Sequence, residues 1–200
     1  MKNRILYLHG FRSSPASFKG RMMEQALAER GLSPIWAGPQ LPASPRQAAD
    51  LALHIAQTQL RDRAGPKGNP AKLTVVGSSL GGYYATWVAE QLGCKAVLLN
   101  PAVHAVRDLT PAVGTHRMYH SDAPFVFRPE YLGELAALRA RRITRPRRYF
   151  LIAATGDEVL NWREMRERYA GCRQHIVQGS DHGLSNFADL LPEVLAFALE

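Results

Sequence analysis

One stretch constrains this chain more than any other: an apolar run, a turn of small residues centred on a serine, and a second apolar run of helical type. Leu73-Thr74-Val75-Val76 reads as a buried strand. Gly77-Ser78-Ser79-Leu80-Gly81 follows it, and Tyr83 to Leu92 reads as a helix. Strand, G-x-S-x-G, helix is the setting of a nucleophile elbow. Small residues on both flanks let strand and helix close on each other while the central side chain is thrust outward. The stretch predicts a serine nucleophile, Ser79, and acyl transfer as the reaction class. A phosphate-binding loop would need G-x-x-x-x-G-K-[ST], and here Gly81-Gly82 runs into Tyr83 without a lysine.

The partners of such a serine follow it in the order acid, then histidine. Tyr149 to Ala154 is strand-like and runs into Thr155-Gly156-Asp157-Glu158. Gln174-His175-Ile176-Val177 is another short strand, followed by Gly179-Ser180-Asp181-His182-Gly183 and a final amphipathic segment, Leu184 to Leu199. Each candidate sits where a strand delivers it to one edge of a parallel sheet, and ligands of such folds bind outside the carboxyl ends of the strands. His182 is therefore the expected base. Three carboxylates compete to orient it: Asp157, Glu158 and Asp181. Asp157 follows the Thr155-Gly156 turn directly and has a short side chain. Asp181 adjoins His182, and neighbours on an extended loop point apart. Asp157 is the expected acid.

The N-terminus supplies a fourth element. Ile5-Leu6-Tyr7-Leu8 is an apolar strand followed by His9-Gly10-Phe11. An oxyanion hole needs two N–H donors aimed at the developing charge. One comes from the residue after the nucleophile, Leu80, and the other from an early strand-to-helix loop, here Phe11. His9 reads as a residue that orients this loop.

The rest of the chain alternates. Strand 4–8 precedes a helix from Phe18 to Arg30, stopped by Gly31, and Ile35-Trp36-Ala37 forms a short strand. Ser44-Pro45 opens a helix to about Arg63, with Leu51, Ile55 and Leu60 on its apolar stripe. Gly65 to Pro70 is a loop; the elbow strand and helix follow, then strand Ala96 to Leu99. Alternation of this kind predicts an α/β fold with a mostly parallel sheet of about six strands and helices on both faces. Residues 101–145 break the rhythm with Pro101, Pro111, Pro124 and Pro129, and only Glu130 to Arg139 looks helical. This segment reads as a short cap-like insertion within one domain spanning 1–200. Tyr83, Phe125 and Phe127 are the expected apolar substrate contacts.

Composition removes several classes. No stretch reaches the ~18 uninterrupted apolar residues of a membrane span, and polar residues return by His9 and Arg12, too early for a secretory segment. A soluble cytoplasmic protein with no membrane partner is expected. Cys94 and Cys172 lie in no C-x-x-C pair, so neither a disulfide framework nor a metal site is expected, and no cofactor. The net charge is +8 and six arginines crowd between Arg139 and Arg148. Without interleaved aromatics they do not make a nucleic-acid module. They read as a solvated face, the alternative being a contact for an anionic leaving group.

Taken in order, these motifs resemble the YqiA/YcfP family of small bacterial esterases. The resemblance rests on Tyr7-Leu8-His9-Gly10-Phe11 with Ser13-Ser14-Pro15 and Lys19; on Val76 to Tyr84; on Asn100-Pro101-Ala102-Val103; on Thr155 to Leu160; and on Gly179-Ser180-Asp181-His182. It implies a compact α/β-hydrolase fold without the first strands of larger members, and esterase activity. The expectation is a serine hydrolase that cleaves small-molecule carboxylic esters of short or medium acyl chains through an acyl-enzyme. An acyl-CoA thioesterase on the same scaffold, or a non-catalytic hydrolase-like binding protein, is the alternative. The oligomeric state is not written in the sequence.

Overall fold

The computed structural model describes residues 3–61 and 72–200. In chain order its elements are β1 (Arg4–Leu8), α1 (Phe18–Glu29), β2 (Trp36–Ala37), α2 (Pro45–Arg61), β3 (Leu73–Ser78), α3 (Leu80–Leu92) and β4 (Lys95–Leu99). Then come α4 (Ala105–Leu109), β5 (Gly114–Arg117), β6 (Pro124–Phe127), α5 (Glu130–Ala137), β7 (Tyr149–Ala154), α6 (Trp162–Arg168), β8 (Arg173–Val177) and α7 (Phe187–Leu199). The loop expected over Gly65–Pro70 and the expected helix end near Arg63 lie outside the described residues.

Six strands form one parallel sheet in the order β2-β1-β3-β4-β7-β8. Every residue of β3 and β7 is buried. That is why these strands read as continuous apolar runs rather than as alternating ones: both faces of a parallel sheet are covered. On one face Met23 and Leu27 of α1 meet Phe187, Leu190 and Val194 of α7. On the other, Ala49, Ala52 and Ala56 of α2 lie with Tyr84, Ala85 and Val88 of α3, and Met165 of α6 joins them. The small alanines of α2 allow close approach to α3, and each Leu or Val so buried contributes about 1.5–3 kcal/mol of transfer free energy.

The register aligns the carboxyl ends of the strands. Leu8 pairs with Gly77, Ser78 with Leu99, Leu99 with Ile152, and Ala154 with Val177. The loops after β1, β3, β4, β7 and β8 therefore emerge along one edge. Strand order reverses between β1 and β3, and such a switch point opens a crevice. The loop beginning at His9 and the turn at Ser79 flank that crevice.

The sequence misplaced some boundaries and missed some elements. The elbow strand runs on to Ser78 and α3 starts at Leu80, three residues before the expected helix. The last helix starts at Phe187. Residues 101–145 hold more structure than the single expected helix: α4, the antiparallel hairpin β5–β6, and α5, which ends at Ala137. Among the described residues no helix is long and apolar enough to cross a membrane.

Candidate active site

Ser79 stands between β3 and α3 with φ 55° and ψ −121°. A non-glycine residue in that region is strained, and the strain is held by packing and hydrogen bonds. The Ser79 N–H donates to the Leu99 carbonyl at 3.0 Å, while its own carbonyl accepts from the Gly82 N–H at 2.9 Å and the Ala102 N–H at 3.0 Å. Two glycines make the turn possible. A Cβ on Gly77 would lie 2.2 Å from the Gly81 carbonyl oxygen, and one on Gly81 would lie 1.9 Å from that of Leu8. We expect Gly81→Ala to force β1 and α3 apart at a cost of about 3 kcal/mol or more, lowering Tm by roughly 10 °C in a chain of this size. Thermal unfolding followed by circular dichroism checks this, and an unchanged Tm would contradict it.

The three residues expected to act together converge. The His182 imidazole places Nε2 3.0 Å from Ser79 Oγ and Nδ1 2.9 Å from Asp157 Oδ2. The Asp157 side chain is fully buried. Its Oδ1 also accepts from the Val159 N–H at 2.9 Å and the Leu160 N–H at 2.8 Å, so the turn after β7 fixes the carboxylate before the histidine meets it. The rival carboxylates do other things. Glu158 Oε2 accepts from the His182 backbone N–H at 3.0 Å, and Asp181 Oδ1 accepts from the Ser185 N–H at 2.9 Å.

Leu80 and Phe11, the expected oxyanion donors, border the same cleft as Ser79. Leu80 opens α3, so its N–H has no acceptor within the helix. The loop before Phe11 presses on the elbow: a Cβ on Gly10 would lie 3.2 Å from that of Ser79. His9 holds this loop. Its Nδ1 donates to the Gly10 carbonyl at 2.9 Å and its Nε2 accepts from the Leu41 N–H at 2.9 Å. This arrangement requires the neutral ring. Burial pushes the His9 pKa down, against a raising contribution from the Gly10 carbonyl and with a further lowering by His120.

Two residues were not singled out as functional from the sequence. Asn100, fully buried after β4 with φ 42°, donates from Nδ2 to the carbonyls of Asp181 at 3.0 Å and His182 at 3.1 Å. Its Oδ1 accepts from the Ala154 N–H at 2.8 Å. One amide thus ties the histidine loop to the end of the strand that carries Asp157. Lys19, only 9% exposed, donates from Nζ to the Gly183 carbonyl. A polar side chain directly after an apolar strand is the signal that marks Asn100. Lys19 carries no comparable local signal, because one lysine in a helix is ordinary.

A cleft of about 540 Å³ opens over Ser79 and His182. Tyr83, Phe125 and Phe127, the expected substrate contacts, are not among its lining residues. Tyr83 is buried under α5, where its hydroxyl donates to the Leu135 carbonyl at 2.7 Å. It faces a separate cavity of about 320 Å³ with Arg139 and Arg168. Phe125 and Phe127 pack edge-on against Phe11 at ring distances of 5.0 and 5.2 Å. They brace a cleft residue from behind. The exposed apolar groups at the cleft are Phe18, Tyr119 and Val159. None of the six arginines between Arg139 and Arg148 lines it.

Nor do the cysteines line the cleft, and burial pushes Cys94 up to about 12 and Cys172 up to about 11. Both thiols are thereby held protonated at neutral pH. Among the described residues no group of three or more His, Cys, Asp or Glu is placed to hold a metal ion.

The family model described as "Uncharacterised protein family (UPF0227)" matches residues 4–199. Among solved structures the chain is similar to tomato methylketone synthase I, with a TM-score of 0.72 at 15% identity, covering 99% of this chain and 97% of that one. It is similar to mouse alpha/beta hydrolase domain-containing protein 10, with a TM-score of 0.62 at 16% identity over 96% and 89%. An esterase from Pyrococcus furiosus gives a TM-score of 0.60 at 15% identity over 98% and 81%. At these identities the likeness shows the fold, which is that of the alpha/beta hydrolases.

Proposed function

The chain belongs to UPF0227, the family its YqiA/YcfP-like motifs pointed to, and from that premise we propose that it is a serine hydrolase acting on carboxylic esters of short or medium acyl chains. The observation that carries this reading is the unbroken chain from Ser79 Oγ through His182 to the buried Asp157, with links of 3.0 and 2.9 Å.

The chemistry follows from that chain. His182 Nε2 takes the proton of Ser79 Oγ as the oxygen attacks the ester carbonyl. Asp157 keeps the Nδ1 proton in place and stabilises the imidazolium that forms. The Leu80 and Phe11 N–H groups receive the oxyanion. His182 then gives its proton to the leaving alcohol, and the acyl group stays on Ser79. Water attacks the acyl-enzyme with His182 again as base, releasing the acid and restoring the serine.

The test pairs a fluorophosphonate probe with a panel of p-nitrophenyl esters. The probe is expected to label Ser79, and kcat/KM to peak at short or medium chains, because Phe11, Leu80, Ala102, Leu109 and Leu160 offer the cleft an apolar wall. No labelling of the folded protein would favour a non-catalytic binding role. The thioesterase reading drew on the arginine cluster, which lies away from the cleft. Raising salt is accordingly expected to leave the ratio of neutral-ester to acyl-CoA turnover within about twofold, exposed charges being screened beyond a Debye length of ~10 Å at 0.1 M. A steep salt loss confined to acyl-CoA would restore that reading.

A further inference from the structure

The cleft offers a ligand both apolar and polar groups. Leu80, Ala102 and Leu160 belong to the core beneath α2 and α3, with Leu109 packed against it. The β1–α1 connection, the start of α1 and the loop after β8 bring polar groups, among them Ser13, Ser17, Lys19 and Ser185, beside the apolar Phe11 and Phe18.

Lys19 is the anomaly in this wall. A buried ammonium normally needs a carboxylate partner, because desolvating an unpaired charge is expensive. Among the described residues no carboxylate oxygen lies within 4.0 Å of Nζ, and its one hydrogen-bond acceptor is the Gly183 carbonyl. Burial holds the ammonium down at about 8, outweighing the raising influence of Asp181 and Asp157. The cation is therefore under-compensated where it borders the cleft. Both of those carboxylates make their hydrogen bonds elsewhere, Asp181 with the Ser185 N–H and Asp157 with His182 and its own turn, and Asp108, which also lines the cleft, pairs with Arg107 at 2.8 Å. A ligand oxyanion would supply the missing countercharge through a charge-assisted hydrogen bond.

We propose that Lys19 is an anion subsite of the cleft, and that the preferred substrates are esters bearing a carboxylate as well as an apolar chain. The apolar wall takes the hydrocarbon, and the ammonium takes the carboxylate. This rests on the serine-hydrolase reading, and the experiment separates the two. At pH 7, below the Lys19 pKa, kcat/KM is measured for two matched pairs. Monoethyl adipate against ethyl hexanoate puts the carboxylate on the acyl side. The 4-(butyryloxymethyl)benzoate anion against benzyl butyrate puts it on the alcohol side.

The wild-type protein is expected to favour the anionic member of at least one pair by about tenfold or more, the scale of a hydrogen bond to a charged group. In Lys19→Gln, whose amide still has a donor for the Gly183 carbonyl, and in Lys19→Met, that ratio is expected to fall to about one. A loop-holding role alone would slow both members together in Lys19→Met and leave the ratio intact. A wild-type ratio of one or less in both pairs, or a preference that survives the loss of the charge, overturns the subsite. If Ser79 takes no probe and neither neutral ester turns over, the hydrolase reading itself fails.

Discussion

Ser79→Ala is expected to lower kcat on any ester the wild-type protein hydrolyses by roughly 10⁶-fold, the scale seen when a triad nucleophile is removed. Without Oγ no acyl-enzyme forms. What remains is the contribution of the oxyanion donors and of binding, roughly 10³–10⁴-fold over water. The fold should survive, since the alanine inherits the same backbone and loses one oxygen, so an unchanged Tm with abolished activity is the expected pair of readings. Ser78 is the internal control. It ends β3 and is buried, one residue from the elbow. A fluorophosphonate adduct mapped to Ser78, or near-normal rates in Ser79→Ala, would break the assignment.

Asp157→Asn is expected to lower kcat by about 10⁴, and the hydrogen bonds say why. Oδ1 already accepts two backbone N–H groups, from Val159 and Leu160. In the asparagine variant the amide oxygen must stay there, because an NH₂ facing two N–H donors would leave three donors without an acceptor. The NH₂ then occupies the Oδ2 position, 2.9 Å from His182 Nδ1 in the wild-type protein. It donates to Nδ1 and drives the proton to Nε2, where it blocks abstraction from Ser79. This is the wrong-tautomer effect known from the serine-protease template. Glu158→Gln and Asp181→Asn each retain an oxygen for the backbone N–H they serve, and we expect less than about tenfold from either. Steady-state kinetics on the three variants decides. A collapse in Glu158→Gln or Asp181→Asn beside a near-normal Asp157→Asn would reassign the acid.

The parts of this molecule legible in the sequence share a physical cause. β3 and β7 are buried on both faces, so their apolar runs are continuous, and the elbow between β3 and α3 is sterically restricted to a recognisable motif. The hairpin β5–β6 was not legible, because β5 holds no apolar side chain and the exposed positions of β6 are filled by Pro124 and Val126, so polarity does not alternate even where burial does. α6 was missed for a similar reason: Met165 is its one fully buried residue in a run of charges. The aromatics assigned to the substrate failed on orientation. Phe125 and Phe127 carry the right chemistry, yet the hairpin turns them onto Phe11, and Tyr119 from its tip reaches the cleft instead. Lys19 and Asn100 act through partners 164 and 81 residues away, so a local pattern can mark the residue but not the group it holds.

Asn100 bears on how this protein can vary. Its amide hangs the histidine loop from the ends of the central strands. The sheet thus takes a direct part in setting the spacing among Ser79, His182 and Asp157. Changes at the tip of the β5–β6 hairpin, where Tyr119 and His120 border the cleft, would reshape what enters it while leaving the proton path and the Phe125 and Phe127 braces on Phe11 in place. Substrate range can thus be retuned at that tip without rebuilding the chemistry.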